Sequence, residues 1–185
     1  MGYHTFDASQ AEKLEDAAAR YRFCSREELL GALSLRGDET VADLGSGTGF
    51  YADDVAPHVA RLRAVDVQET MHDYYREKGL PENVDLVTAD VADLPFDDGA
   101  LDAAFGTMTF HEFAGEESLA ELARVVRAGG RFVAVDWSAA GAGEIGPPAE
   151  ERYDAASATE MLEDAGFETV RADERVETFA VVVER

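Results

Sequence analysis

The chain has 185 residues, 46% of them hydrophobic, and a single cysteine, which favours one cytoplasmic domain with a sizeable core and excludes a disordered chain or an internal disulfide. No apolar run approaches the ~18–20 residues that cross a bilayer, and the N-terminus lacks the pattern of a signal peptide, so we expect no membrane insertion. The net charge of −23 disfavours nucleic acid as a partner. The acidic residues are spread along the whole chain, and only two lysines are present. This composition resembles that of proteins from extreme halophiles; the alternative is an acidic face for one cationic partner.

The N-terminal residues predict two helices. Apolar side chains recur at helical spacing over 8–21, and Ser25 with Glu28 has the spacing of a capping box that opens a second helix. We therefore expect residues 1–36 to form a helical lid or cap ahead of a domain over 37–185. The aromatic residues of this segment either contact a ligand or dock the helix on the domain; they are Tyr3, Phe6, Tyr21 and Phe23.

From residue 37 onward, predicted strands and helices alternate. Short apolar runs predict buried parallel strands at 40–44, 61–66, 84–88, 101–106 and 131–137. Helices are predicted at 50–59, 68–78, 119–127 and 157–165. The last two runs, 167–172 and 176–183, have too short a link for a parallel crossover and predict an antiparallel pair. The expected fold is α/β: a doubly wound, seven-stranded, mostly parallel sheet with an antiparallel C-terminal strand pair and helices on both faces.

A glycine-rich loop follows the first predicted strand, where ligands bind in open α/β sheets. Gly45, Gly47 and Gly49 alternate there, more glycines than a tight turn needs. The spacing is not the G-x-G-x-x-G of dinucleotide sites. Asp43, two residues before the first glycine, would repel a phosphate but suits an ammonium group. S-adenosylmethionine has an ammonium and a sulfonium and no phosphate, so the charges favour this ligand.

Two further acidic residues follow the next two strands. Asp66 lies 21 residues beyond Gly45, where a carboxylate accepts hydrogen bonds from ribose hydroxyls; the alternative is a cap for the helix that follows. Asp90, beside Val91, is placed to accept the amino group of an adenine, or else is an ordinary loop residue. Because nicotinamide cofactors also contain a ribose, Asp66 does not distinguish between the two ligands.

These motifs, taken in order, resemble the class I (Rossmann-like) S-adenosylmethionine-dependent methyltransferases. The resemblance covers residues 37–185 and is carried by the stretches VADLGSGTG (41–49), AVDVQETM (64–71), LVTADVADLPFDDGALDAAF (86–105) and LARVVRAGGRFVAVDW (122–137). The post-strand loop at 146–152 is most similar to the ubiquinone/menaquinone-biosynthesis C-methyltransferase group. The N/D-P-P-Y/F motif of DNA-base and protein-glutamine methyltransferases is missing after the fourth strand, which argues against those substrates.

The resemblance implies S-adenosylmethionine as cofactor and assigns a role to each matching residue. The three glycines would line its methionine part, with Asp43 near the amino group. Asp66 would hold the ribose, with Val67 beside the adenine. Asp90 and Val91 would border the adenine, and Thr107 would face the sulfonium and the acceptor.

The stretch after the fourth strand contains the candidate catalytic residues. His111 is the best candidate for a general base, because histidine titrates near neutrality, and Glu112 is second. The alternative for His111 is a loop residue that shapes the pocket or caps the next helix. His111 and Glu112 also begin an H-E-x-x-H pattern, but Gly115 replaces the second histidine, so we predict no metal site.

The sequence thus predicts an enzyme that transfers a methyl group to a small-molecule acceptor by in-line displacement. The alternative is a cofactor-binding regulatory or partner protein without transferase activity. A nicotinamide oxidoreductase is disfavoured because no Tyr-x-x-x-Lys pair is present. A homodimer is compatible with the sequence, which does not identify the acceptor or the atom methylated.

Overall fold

A computed structural model describes residues 7–185, apart from the side chain of Ala8, and it shows one seven-stranded sheet of order β3-β2-β1-β4-β5-β7-β6. The strands are β1 (Thr40–Leu44), β2 (Arg61–Asp66), β3 (Val84–Thr88), β4 (Leu101–Thr107), β5 (Val126–Trp137), β6 (Glu168–Glu174) and β7 (Thr178–Glu184). Strands β1 to β5 are parallel, and β7 lies antiparallel between β5 and β6. The predicted fold class is confirmed.

The described residues form seven α-helices around the sheet: α1 (Ala17–Tyr21), α2 (Arg26–Leu33), α3 (Phe50–Val55), α4 (Glu69–Lys78), α5 (Phe110–Phe113), α6 (Glu116–Val125) and α7 (Ala155–Asp164). Short 3₁₀ helices cover Ala8–Glu15, Ala56–His58 and Ala149–Glu151. The Ser25 side chain accepts the Glu28 N–H at 3.2 Å at the start of α2, as the capping-box spacing predicts. Within residues 7–185, no helix combines the length and the apolar character that a membrane span requires.

The structure corrects two predicted elements. A continuous helix over 8–21 is wrong, because Asp16 is extended and its carboxylate caps α1 through the N–H groups of Ala18 and Ala19 at 3.1 and 3.2 Å. The helix predicted to reach residue 127 ends at Val125, and β5 begins at the next residue. Gly129 and Gly130, whose position after residue 127 predicts the end of that helix, lie instead within β5, at an irregularity in the β4–β5 pairing.

Two apolar clusters cover the two faces of the sheet. Leu29 of α2, Val55 of α3 and Tyr75 of α4 pack on one face. Phe110 of α5, Leu122 of α6 and Leu162 of α7 pack on the other, and all of these side chains are buried. Helix α2 therefore contributes to the core. The part of the N-terminal segment outside the core is residues 8–21. Tyr3 and Phe6 lie outside the described residues.

The strand order reverses between β1 and β4, which are neighbours in the sheet although β2 and β3 separate them in the chain. Such a reversal leaves a crevice at the carboxyl ends of the parallel strands. Residues that follow β1 to β5 therefore converge on one region of the molecule.

Candidate active site

A cavity of about 990 Å³ lies at this crevice. It brings together predicted site residues from the ends of four strands, namely Gly45, Gly47, Asp66, Val67, Asp90, Val91, Thr107, His111 and Glu112. Two other predicted residues, Asp43 and Gly49, do not line it. Its size falls within the usual range of small-molecule sites.

The three loop glycines have positive φ angles of 77°, 53° and 81°, but the space around them differs. A Cβ atom on Gly49 would overlap the Tyr75 ring at 2.1 Å, and one on Gly45 would overlap the Thr109 side chain at 2.6 Å. At Gly47, which lines the cavity, the nearest atom would be Leu14 Cδ1 at 3.3 Å. Gly45 and Gly49 thus allow close packing within the protein, and Gly47 lines the cavity next to the Leu14 side chain.

Asp66 holds the glycine loop in place. Its Oδ2 accepts the Gly47 N–H at 2.8 Å, and its Oδ1 accepts the Gln68 N–H at 2.8 Å at the start of α4. Asp66 is not the N-cap of α4, because Gln68 holds that position. The Asp66 carboxylate also lines the cavity, where each oxygen has a further lone pair. Asp90 is exposed and accepts the Ala92 N–H at 2.9 Å, which closes a loop turn at the rim.

The region beside Gly45 contains three buried polar atoms that have no hydrogen-bond partner in the described part of the chain: Asp43 Oδ1, Ser46 Oγ and Arg20 Nε. Burial raises the pKa of Asp43 to about 8, although the nearby Arg20 charge opposes this rise. Unpaired buried groups are costly and call for a ligand or water. The amino-acid part of S-adenosylmethionine has an ammonium that suits Asp43 and Ser46 and a carboxylate that suits Arg20, so the residues present fit this cofactor.

The N-terminal segment covers this end of the cavity. Lys13, Leu14 and Arg20 line it, and the Arg20 guanidinium lies 4.8 Å from the centre of the Tyr51 ring. Glu15 fixes the segment through hydrogen bonds from Thr48 Oγ1 and from Lys78 Nζ, the latter at 3.2 Å. The sequence patterns assign no role to Lys13 or Arg20, since nothing local shows that residues 8–21 fold back over the glycine loop.

Strand β4 ends in an unusual backbone conformation. Thr107 is buried and lines the cavity, and Met108 after it has a φ of 61°, which is rare for a residue other than glycine. The Met108 N–H donates to the Val135 carbonyl at 2.7 Å, which holds this turn against β5. The turn leads directly into α5, where Phe110 and Phe113 are buried and His111 and Glu112 face the cavity.

His111 is oriented by a residue that the sequence patterns did not indicate. Asp136, which is fully buried near the end of β5, accepts the His111 main-chain N–H at 2.6 Å and lies 2.9 Å from its ring Nδ1. This contact assigns the proton to Nδ1 and makes Nε2 the ring nitrogen with a lone pair. The available signal was that Asp136 is the one acidic residue of β5 and follows an apolar run.

The pKa values of His111 and Glu112 are both raised above their ordinary values. Burial lowers the pKa of His111, but the hydrogen bond and charge of Asp136 outweigh burial and leave the pKa above its ordinary value. Burial raises the pKa of Glu112 to about 7 against the charge of His111, whose Nε2 lies 3.9 Å away. Both groups can therefore accept or donate a proton near physiological pH.

Aromatic and apolar residues form the wall opposite the glycine loop. The Phe23 and Trp137 rings meet edge to face with centroids 4.9 Å apart. The Gly146 backbone lies against Trp137, because a Cβ there would come within 2.7 Å of the ring. Pro147 and Pro148 continue this wall. Within residues 7–185, no three His, Cys, Asp or Glu side chains group closely enough to hold a metal ion.

Comparisons with known proteins agree with this geometry. The profile of the methyltransferase domain family matches residues 42–134, which is half of the chain. The biotin biosynthesis bifunctional protein BioHC of Cellvibrio japonicus is 34% identical over 118 residues, 63% of this chain and 23% of that protein. The ubiquinone/menaquinone biosynthesis C-methyltransferase UbiE of Brucella canis is 33% identical over 117 residues, 58% of this chain and 43% of that protein. The chain thus spans less than half the length of these curated relatives.

A solved structure matches almost the whole chain. The crystal structure of a SAM-dependent methyltransferase from Aquifex aeolicus superposes with a TM-score of 0.84 at 32% identity and covers 97% of this chain and 98% of its own. The family profile, the relatives and the cavity therefore agree. The chain belongs to the class I, Rossmann-like family of methyltransferases, near the UbiE group, and the cofactor of this family is S-adenosylmethionine.

Proposed function

We propose that this chain transfers a methyl group to a small-molecule acceptor by in-line displacement. The observation that supports the proposal is that one cavity contains both cofactor-binding groups from β1 to β3 and an oriented histidine after β4. When bound, S-adenosylmethionine supplies an electrophilic methyl group on its sulfonium. The chain's own residues bind this cofactor, exclude water and handle the acceptor proton.

Several of the predicted residues have a task in this proposal. Asp66 binds the ribose, Asp90 and Val91 border the adenine, and Asp43 with Ser46 faces the ammonium. Thr107 and Met108 separate these groups from the acceptor. His111 accepts the acceptor proton at Nε2 while Asp136 stabilises the resulting imidazolium, so the rate should fall as the pH drops through the raised pKa of His111. Glu112 is the second group able to receive that proton.

The names of the relatives bear on the acceptor only as a proposal. UbiE is named for C-methylation in ubiquinone and menaquinone biosynthesis and BioHC for biotin biosynthesis. Both names point to small molecules and neither to nucleic acid. The 3₁₀ helix Ala8–Glu15 and α1 remain our proposal for a lid, because Leu14 covers Gly47 and Glu15 contacts Thr48.

The test measures binding and transfer separately. Titration calorimetry should show S-adenosylhomocysteine binding to the wild type, and Asp66→Ala should weaken it by at least about tenfold, since a ribose contact and the Gly47 N–H contact are lost. Asp164→Asn, an exposed change on α7, is the control.

The second experiment tests methyl transfer. Methyl-labelled cofactor with fractionated cell extract should yield a labelled small molecule. Tight NAD(H) binding, or cofactor binding with no labelled product in any fraction, would contradict the proposal.

A further inference from the structure

Two segments of the cavity wall lie side by side where the strand order reverses. The glycine loop follows β1, and a turn over residues 108–112, which we call the acceptor turn, follows β4 and contains His111. The regular pairing of β1 with β4 ends at Asp43 and Phe105, before either segment begins. In-line displacement requires that the methyl donor and the acceptor are aligned. The position of the acceptor turn relative to the glycine loop therefore bears directly on the proposed function.

The glycine loop is held from the side of β2. The N–H groups of Gly45 and Ser46 both donate to the Val65 carbonyl at 2.9 Å. The Gly47 N–H donates to the Asp66 carboxylate, at the end of the same strand, at 2.8 Å. These three hydrogen bonds fix the loop without any contribution from the acceptor turn.

The acceptor turn is held from the opposite side, by β5. The Met108 N–H donates to the Val135 carbonyl at 2.7 Å. The His111 N–H donates to the Asp136 carboxylate at 2.6 Å, and the His111 ring lies against the same carboxylate. The orientation of His111 thus depends on β5 and not on the glycine loop.

The Thr109 side chain joins these two segments. Its hydroxyl donates to the carbonyl of Leu44, the last residue of β1, at 2.8 Å. It also fills the space beside two glycines, because a Cβ atom on Gly45 would lie 2.6 Å from Thr109 Cγ2 and one on Gly106 would lie 3.2 Å from Thr109 Oγ1. The Thr109 main-chain carbonyl accepts the Glu112 N–H at 2.9 Å in the first turn of α5. One residue therefore contacts the glycine loop with its side chain and begins α5 with its main chain.

We propose, on the basis of the proposed function, that Thr109 is a positioning residue that sets the alignment between the cofactor on the glycine loop and the acceptor beside His111. Its hydroxyl proton is engaged by the Leu44 carbonyl, so Thr109 acts through the backbone and not as a proton carrier. Without this bond, β2 and β5 still hold their own segments, and the loop and the turn shift relative to each other. A displacement of ~1 Å between reacting groups lowers a rate by about 100-fold.

Thr109→Val tests this role, because valine has nearly the shape of threonine and cannot donate to Leu44. The transfer assay uses methyl-labelled S-adenosylmethionine and the cell-extract fraction that yields a labelled product with the wild type. Calorimetry measures S-adenosylhomocysteine binding. We expect the maximal rate at saturating cofactor to fall at least about tenfold, because the alignment is lost. The affinity for S-adenosylhomocysteine should change by less than about threefold, because β2 still holds the glycine loop.

Two further variants are the controls. Thr109→Ser retains the hydroxyl and should keep the maximal rate within about threefold of the wild type. Thr159→Val on α7 removes a hydroxyl that donates to the Ala155 carbonyl at 2.6 Å. This is the same kind of hydrogen bond outside the cavity lining, so its loss should leave both transfer and binding unaltered. The controls distinguish the bond to Leu44 from a general weakening of the fold.

The outcomes separate the inference from the function on which it rests. If the wild type binds no S-adenosylhomocysteine or yields no labelled product, the proposed function fails, and the role of Thr109 fails with it. If the wild type is active and Thr109→Val is equally fast, only the positioning role is overturned. The same holds if Thr109→Val loses as much S-adenosylhomocysteine affinity as rate. A Thr109→Ser protein as slow as Thr109→Val would likewise overturn it, because the hydroxyl would then not determine the rate.

Discussion

Burial of the Asp43 side chain destabilises the ligand-free protein, and the cofactor would compensate for this cost. Its side chain is 1% exposed at the end of a buried strand, and burial raises its pKa to about 8. One of its oxygens has no hydrogen-bond partner among residues 7–185. The protein without ligand thus loses stability by burying this group, and a ligand ammonium would supply the missing partner.

The stability lost by burying Asp43 depends on pH in a definite direction. Because the pKa of Asp43 is higher in the folded than in the unfolded chain, its contribution makes folding weaker as the pH rises from ~4 to about 8. Asp43→Asn should therefore stabilise the ligand-free protein by about 1–3 kcal/mol at pH ~8, with a smaller gain at lower pH, while it weakens S-adenosylhomocysteine binding. Urea denaturation across pH, with calorimetry, measures both effects. An Asp43→Asn protein less stable than wild type at every pH would contradict this account.

At the scale of elements, the glycine loop joins α3, α4 and the N-terminal segment. Gly49 caps α3 with a φ of 81° and lies against the buried Tyr75 of α4. The Tyr75 hydroxyl donates to Asp53 of α3 at 2.6 Å, and Lys78 of α4 pairs with the same Asp53 at 2.9 Å. The loop is thus fixed by packing between helices, which keeps its cavity-facing backbone in one conformation.

Gly49→Ala tests this packing. We expect a loss of about 2–4 kcal/mol in the free energy of unfolding, because the new methyl group would overlap the Tyr75 ring in addition to straining the backbone. Gly166→Ala is the matched control: it has a φ of 98° and no atom within 4 Å of the added carbon, so it should lose only about 1 kcal/mol. Chemical denaturation compares the two. Equal losses would show that strain alone, and not the contact with Tyr75, explains the effect.

At the scale of the molecule, acidic residues far outnumber basic residues. The chain has 39 acidic and 16 basic residues, so 23 acidic residues remain without a cation even if every cation pairs once. Arginines already engage in pairs such as Arg124 with Asp98 and Arg127 with Asp102, both partly exposed. Such exposed pairs contribute little, and the remaining charges repel each other.

Salt should therefore stabilise this protein. Screening at molar ionic strength shortens the range of repulsion to ~3 Å, and we expect the melting temperature to rise by about 5 °C or more from dilute buffer to molar KCl. A variant with exposed acids changed to amides should respond less; the changes are Glu77→Gln, Glu82→Gln, Glu160→Gln and Asp164→Asn. Calorimetric scans of both proteins measure the difference. Equal melting temperatures at low and high salt would contradict the halophilic interpretation of the composition.

Local sequence patterns predicted most of the elements because most of the strands contain a short apolar run. The strands at 40–44, 61–66 and 84–88 were predicted with the bounds that the structure shows. One error arose where a side chain competed with the local pattern. The Asp16 carboxylate accepts hydrogen bonds from two backbone N–H groups. It thereby interrupts a helix that the spacing of the apolar residues alone would continue.

The amino-acid sequence by itself determined the family, the sheet and the residues that follow each parallel strand, because these depend on periodicity, glycine spacing and charge along the chain. The tertiary structure alone decided which distant groups meet. It placed Asp136 under His111, Arg20 near Asp43, and Tyr75 behind Gly49. The physical reason is that a hydrogen bond, a pKa shift or an excluded methyl group depends on distance in space, and packing of the two sheet faces sets that distance independently of separation along the chain.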